Sequence, residues 1–388
     1  MLWGSWRRWI AAAIAAGIFT QAHPASAAPP SDLPSTYPGL STLGVPPSAQ
    51  PPTGPDALSP SSDLPIRDLT PPGFATDAPP VHPAYRDTIP GFLTPSVPVE
   101  GGPFVTAEFL LFRPHRSDFD FVVPGDTTGL VPTGDVRSLN YNLQPGLRGE
   151  FGHRFGGSGW EAFFGYTYFH SSAFDQLLAP PGLVLFPTLT KPGLTNTVQF
   201  AGADANFDYN VYDLMLGKRF SIDEHFAVRL TGGLRFASIR QGFNAYYDGL
   251  DAHAAQVSAR SNFQGFGPIV GGEAVWAGWK GFHLYARANA GMLSGQSDNP
   301  YVETNNSGNT VYANTAYNIR TVAPMTSMAV GGGWQYRTVS IRAGYEITNY
   351  FNVVNQPRFT DDVSVGKMVT RPSNVSLEGL FVQAGLAF

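Results

Sequence analysis

The chain has 388 residues, no cysteine, 43 glycines, 34 prolines and 14% charged side chains, against the roughly 25% charged that is typical of soluble domains. The missing cysteines exclude a disulfide framework, thiolate metal sites and cysteine nucleophiles. A net charge of −5 at pH 7 argues against a nucleic-acid partner.

The chain opens with Arg7 and Arg8, an apolar run from Trp9 to Phe19, and the small residues Ala25-Ser26-Ala27. That order reads as a signal peptide over residues 1–27, cleaved before Ala28. The run is about half of the ~20 apolar residues that a membrane-spanning helix needs. No later stretch comes near that length either, so any membrane crossing must be made by strands. Losing Arg7 and Arg8 takes the mature chain to a net charge of −7.

Residues 28–102 follow with a different composition, holding 19 of the 34 prolines between positions 29 and 100, no lysine and no hydrophobic period. Such a segment buries too little apolar surface to offset the entropy of ordering it. It is expected to be a disordered Pro-rich periplasmic linker, with contact to the cell wall as a second possible role.

From Pro103 to the end, apolar residues recur with period two, in segments of about 10 to 20 residues divided by glycine- and asparagine-rich turns. In the last segment Leu380, Val382, Ala384, Leu386 and Phe388 share one face, and Gly379, Phe381, Gln383, Gly385 and Ala387 share the other. Val228, Leu230, Leu234 and Phe236 likewise alternate with Arg229, Thr231, Gly233 and Arg235. The pattern predicts strands over roughly 103–114, 138–154, 159–171, 200–220, 225–241, 258–277, 281–292, 316–336, 338–352 and 375–388. The connections alternate between one to four residues and about 16 to 28 residues. This is the rhythm of an all-β, antiparallel up-and-down transmembrane β-barrel of about ten strands, within a range of eight to twelve, with short periplasmic turns and long outer loops.

Outside the signal peptide, the tryptophans Trp160, Trp276, Trp279 and Trp334 each fall beside a predicted short turn. They are expected to form part of an aromatic girdle at one membrane interface. A barrel in lipid must turn its charges inward. Arg148, Glu150, Glu161, Asp213, Arg229, Arg235, Glu273, Arg287, Arg342 and Glu346 are therefore the expected lumen-lining residues. Five of each sign suggest either a network that fills and stiffens a narrow barrel or a lining that sets ion selectivity. Ten strands lie nearer the filled end of barrel sizes than the open one.

Catalytic patterns are scarce. No His-Glu-x-x-His, nucleophile elbow or phosphate-binding loop occurs, so neither a metal site nor a cofactor is expected. Gly265-Phe266-Gly267-Pro268 falls inside a predicted strand and reads as close packing. Asp118, Asp120 and Asp126 lack the spacing of a calcium loop. His115, His170, Asp118 and Asp175 fall near strand tops, the one arrangement that invites comparison with outer-membrane proteases.

Thr106–Pro114, Tyr212–Phe220, Gly233–Arg240, Gly265–Pro268 and Arg342–Glu346 occur in an order that resembles the Legionella-type pore-forming outer-membrane protein family over residues 103–388. The resemblance implies an outer-membrane barrel with some conduction, and supplies neither substrate nor catalytic residues. The expected partners are outer-membrane lipid and the barrel-assembly machinery, which the terminal Phe388 would engage. A filled barrel acting as a structural or adhesive surface protein through its loops is the alternative.

Overall fold

The computed structural model describes residues 101–388, apart from Ser117, Gly129, Leu130 and Val365 and the side chains of Asn355 and Arg371. The expected signal peptide and the Pro-rich linker up to residue 100 lie outside the described residues, and the linker's last expected residue, Gly102, begins the first strand.

Fourteen strands occur in these residues: β1 (Gly102–His115), β2 (Asp120–Asp126), β3 (Val131–Pro132), β4 (Arg137–Ser138), β5 (Gln144–Arg154), β6 (Trp160–Leu178), β7 (Leu183–Pro187), β8 (Phe200–Ser221), β9 (Phe226–Gly249), β10 (Ala252–Ala277), β11 (Phe282–Asn305), β12 (Thr310–Tyr336), β13 (Val339–Phe359) and β14 (Met368–Ala387). Ten of them, β1, β5, β6 and β8 to β14, form a closed antiparallel ring in chain order. The ring is shut by β1 on β14, in register from Phe104↔Ala387 to His115↔Ser376. Closure gives every ring strand a neighbour on both sides, although β12 is bonded to β13 only from Met325 to Tyr336.

The alternation changes sign part-way along each long strand. On β8 the outward residues Tyr212, Leu214, Leu216 and Phe220 are exposed and apolar, whereas the outward residues nearer the other end are Asp204, Asn206, Asp208 and Asn210. The inward face does the reverse, running from Asp213 and Arg219 to Val211, Tyr209, Phe207 and Ala205. On β9, Leu230, Leu234 and Phe236 point out below Arg240 and Asn244, while Arg229 and Arg235 point in below Ile239, Phe243 and Tyr247. Lipid contact demands apolar outward residues over about 9–11 positions of a tilted strand. Beyond that height water bathes the outside, so the inside becomes the core.

This inversion corrects the expected long loops. The segment around 293–315 is strand, with Ser297 opposite Ile319 and Val302 opposite Asn314. β9 and β10 meet at a tight turn through Leu250 and Asp251, and Asn306, Ser307 and Gly308 turn β11 into β12 with φ of 52°, 54° and 86°. The expected strand 138–154 is shorter, starting at Gln144. The polar run Gln296-Ser297-Asp298-Asn299 resembles a turn by composition, yet cross-strand hydrogen bonding carries it.

β2, β3, β4 and β7 form a small separate sheet at the long-hairpin end. Phe119, Phe121 and Val122, from the segment between β1 and β5, are fully buried. The Phe119 ring lies 4.8 Å from Phe243 and 5.6 Å from Tyr141. Tyr247 Oη donates to the Phe121 carbonyl at 2.7 Å. The segment therefore packs against inward faces of the barrel wall.

Candidate functional site: the charged interior

The ten charged residues of the expected lining are buried or half-buried, on strand halves whose alternate residues are exposed and apolar. Most of them gather into four groups. In the largest, Arg148 Nη1 donates to Glu108 Oε2 at 2.7 Å and to Glu346 Oε2 at 2.9 Å, and Nη2 donates to Glu346 Oε1 at 2.8 Å. Arg287 Nη2 donates to Glu346 Oε2 at 2.7 Å, and Gln383 Nε2 to Glu108 Oε1 at 2.7 Å. Two carboxylates and two guanidiniums from β1, β5, β11 and β13 thus neutralise each other across the barrel. Buried charge is tolerable only when paired and hydrogen-bonded in this way.

Arg235 grips Asp213 with two bonds, Nε to Oδ1 at 2.6 Å and Nη2 to Oδ2 at 2.7 Å. Arg342 Nη1 donates to Glu273 Oε1 at 3.1 Å. Glu161 is paired with Arg154 and Arg219, each at 3.5 Å, and with Arg229. Gly217 makes that cluster possible, since a Cβ there would sit 3.0 Å from Glu161 Oε1. Glu150 lines the same interior without a hydrogen bond among the described residues.

Between these groups lies a cavity of about 70 Å³, lined by Arg148, Glu150, Asp213, Arg229, Arg235, Glu273, Arg287 and Glu346, with Thr167, Thr231, Asn289 and Ser327 among its polar neighbours. That is room for about five waters. One end is closed by apolar side chains. Phe112, Phe169 and Phe207 follow one another with ring centroids 6.2 and 6.1 Å apart, and Tyr209 and Tyr350 share a hydrogen bond of 2.8 Å between hydroxyls. Leu110, Ile239 and Phe263 complete this layer, all essentially inaccessible to solvent. The other end is more open, for Arg219 keeps 37% of its side-chain surface exposed while Glu108 keeps 1%.

Sequence reasoning missed Glu108, Arg154, Arg219 and Gln383. Glu108 stands between Ala107 and Phe109 in an apolar segment, and its even-numbered phase, shared with Thr106, was the available signal. The residues at strand tops do not converge. His170 Nδ1 is 2.7 Å from Asp208, Asp175 binds Arg137 at 2.7 Å, and Asp118 pairs with Arg116. Asp120 accepts from Ser138 and Asp126 accepts from Thr128 at 2.6 Å. Among the described residues no group of three His, Asp or Glu is placed to hold a metal ion.

The four tryptophans are outward and exposed at the short-turn end. Lys218 Nζ lies 5.0 Å above the Trp160 ring and Lys280 Nζ 3.9 Å above Trp279, so each apolar ring has a charged head beside it. Such placement suits an interface where one side is oily and the other wet. Phe388 lies beside the first strand, its backbone N–H donating to the Pro103 carbonyl at 3.0 Å.

The family described as Legionella pneumophila major outer membrane protein precursor matches residues 97–388, which contain the whole ring. The chain belongs to this family. It is therefore a protein of the outer membrane. None of the curated proteins matches the sequence. Among solved structures, the Escherichia coli outer membrane protease OmpT is 9% identical, with 74% of this chain and 97% of that chain covered at a TM-score of 0.44. A Pseudomonas aeruginosa FadL homologue is 8% identical, with coverage of 75% and 91% and a TM-score of 0.23. The Pseudomonas putida toluene transporter TodX is 10% identical, with coverage of 76% and 91% and a TM-score of 0.19. At these scores the likenesses carry neither a substrate nor a mechanism to this member of the family.

Proposed function

We propose that this outer-membrane protein is a narrow, non-enzymatic pore for small ions and solutes, shut in the conformation described here by the apolar layer in its outer half. The observation that carries this reading is the cavity of about 70 Å³ lined by charged residues in the half of the barrel with an apolar outer face. A barrel serving only as scaffold gains nothing from burying six carboxylates and seven arginines, because well-packed apolar residues are as stable or more so. Pairs of opposite sign keep the lining near neutrality and favour weak selectivity.

The closing layer is capped by the segment between β1 and β5, whose Phe119 and Tyr141 rings pack on Phe243 and Phe207, and this cap is the part that moves on opening. Arg116 ties that segment down through Asp118 and through Gln241 on β9 at 3.2 Å, and Asp118 Oδ1 accepts from Ser373 on β14 at 3.3 Å. On the same reading residues 1–27 direct export, residues 28–102 serve as a periplasmic tether, and Phe388 engages the assembly machinery.

Planar bilayers give the test. The wild type should show infrequent single-channel openings, and Phe119→Asn with Phe121→Asn should raise the open fraction several-fold. Silence from both proteins, each shown to be folded, overturns the pore and leaves the filled, structural or adhesive barrel.

A further inference from the structure

At the short-turn mouth the charges no longer balance. Arg154, Arg219, Arg229 and Arg342 are paired there with Glu161 and Glu273 alone, and Glu150, which acts on Arg229 from the neighbouring cavity, still leaves one positive charge in excess. Arg219 and Arg229 stand directly opposite each other on β8 and β9, a pairing that by itself destabilises a sheet.

We propose that this mouth is a binding site for a small oxyanion of the phosphate class, held by Arg154, Arg219 and Arg229 beside Glu161. The proposal rests on the pore reading for its purpose, since it places an anion store at the inner end of the conduction path. Its structural basis is independent of conduction.

Three features make the site built rather than incidental. Each guanidinium carbon lies over an aromatic ring, Arg154 over Phe104 at 4.8 Å, Arg229 over Phe163 at 4.6 Å and Arg342 over Tyr285 at 5.0 Å. A ring beneath the guanidinium restrains the side chain without using its N–H groups, which suits arginine to oxyanions. Donors also outnumber acceptors. Three arginines carry about fifteen N–H groups, and the acceptor among them is the Glu161 carboxylate, only 1% exposed. Arg342 Nε and His283 Nε2 are buried nearby with no hydrogen-bond partner among the described residues. Access completes the case, because Arg219 and Arg154 keep 37% and 22% of their side chains open.

The experiment uses the full protein folded in detergent micelles, titrated with inorganic phosphate at constant ionic strength and followed by calorimetry and thermal unfolding. Saturable binding and a rise in Tm are expected, with chloride at equal ionic strength giving neither. Arg154→Gln and Arg219→Gln should each weaken binding about tenfold or more, and Arg219→Lys should recover part of it. Glu161→Gln, which removes the competing carboxylate, should tighten it. Arg113→Gln, on the outer wall and paired with Glu378, should leave it unchanged. Absence of saturable binding by the wild type overturns the site, as does equal binding by wild type and Arg219→Gln. Binding without conductance overturns the pore and keeps the site; conductance without binding does the opposite.

Discussion

Glu346 is the point at which the interior network is most exposed to challenge. Its carboxylate is 2% exposed and accepts from Arg148 at 2.8 and 2.9 Å, from Arg287 at 2.7 Å and from Thr348 at 3.2 Å. Glu346→Gln keeps the shape but leaves two guanidiniums sharing Glu108 alone. Removing one partner of a buried pair costs about 3–5 kcal/mol. The cavity beside Arg148 and Arg287 supplies water to the stranded charge, which places the expected loss near the lower end, about 3 kcal/mol. Adding Arg287→Gln removes the surplus charge, so the double variant should be less destabilised than the two single losses summed, with a coupling of about 1–3 kcal/mol. Reversible urea unfolding of the barrel in lipid vesicles, with the four proteins measured side by side, reads both quantities. A single loss below about 0.5 kcal/mol, the range of an unremarkable surface change, or strict additivity in the double variant, would refute the claim that these charges act as one network.

Glu303, near the outer tip of β11, is 1% exposed, and burial raises its carboxyl above the ordinary value despite hydrogen bonds from the Lys191 N–H at 2.8 Å and Tyr301 Oη at 3.1 Å. A raised folded-state value means that the native protein binds the proton more tightly, so stability falls as pH rises from about the unfolded value to the folded one. Glu303→Gln should therefore stabilise the outer hairpins at neutral pH and change little below pH ~4, measured by hydrogen exchange across that range. Gly267→Val should reduce the yield of folded barrel sharply, since a Cβ there falls 1.9 Å from the Met292 carbonyl oxygen; normal yield of heat-modifiable barrel on a gel would contradict the tight β10–β11 contact. Deleting Phe388 should lower membrane assembly while export continues, checked by fractionating envelopes; undiminished barrel yield would remove that residue's proposed role.

How much of this was legible beforehand depends on height in the membrane. In the half that carries the tryptophans, lipid outside forces every second residue to be apolar, and the charged alternates between them announced the inward face. The pairs Val228 with Arg229 and Ile341 with Arg342 show that rule at its plainest. In the outer half the medium outside is water, the rule reverses, and strands such as Gln296–Asn299 read as turns. Their identity came from partners about twenty residues away, which no local pattern reports.

The sequence by itself pointed to an antiparallel barrel of about ten strands, because a period of two in a lipid solvent leaves few other arrangements, but it missed Glu108, Arg154 and Arg219. Tertiary structure decided which charges meet. Arg148 and Glu346 are 198 residues apart, and Arg287 and Glu108 are 179 apart. Only the stagger of strands around the closed ring brings them to one height, leaving Arg154, Arg219 and Arg229 to share Glu161. Tertiary structure also decided that the outer half is packed with rings, because filling depends on a barrel's width and on which segment folds back into it.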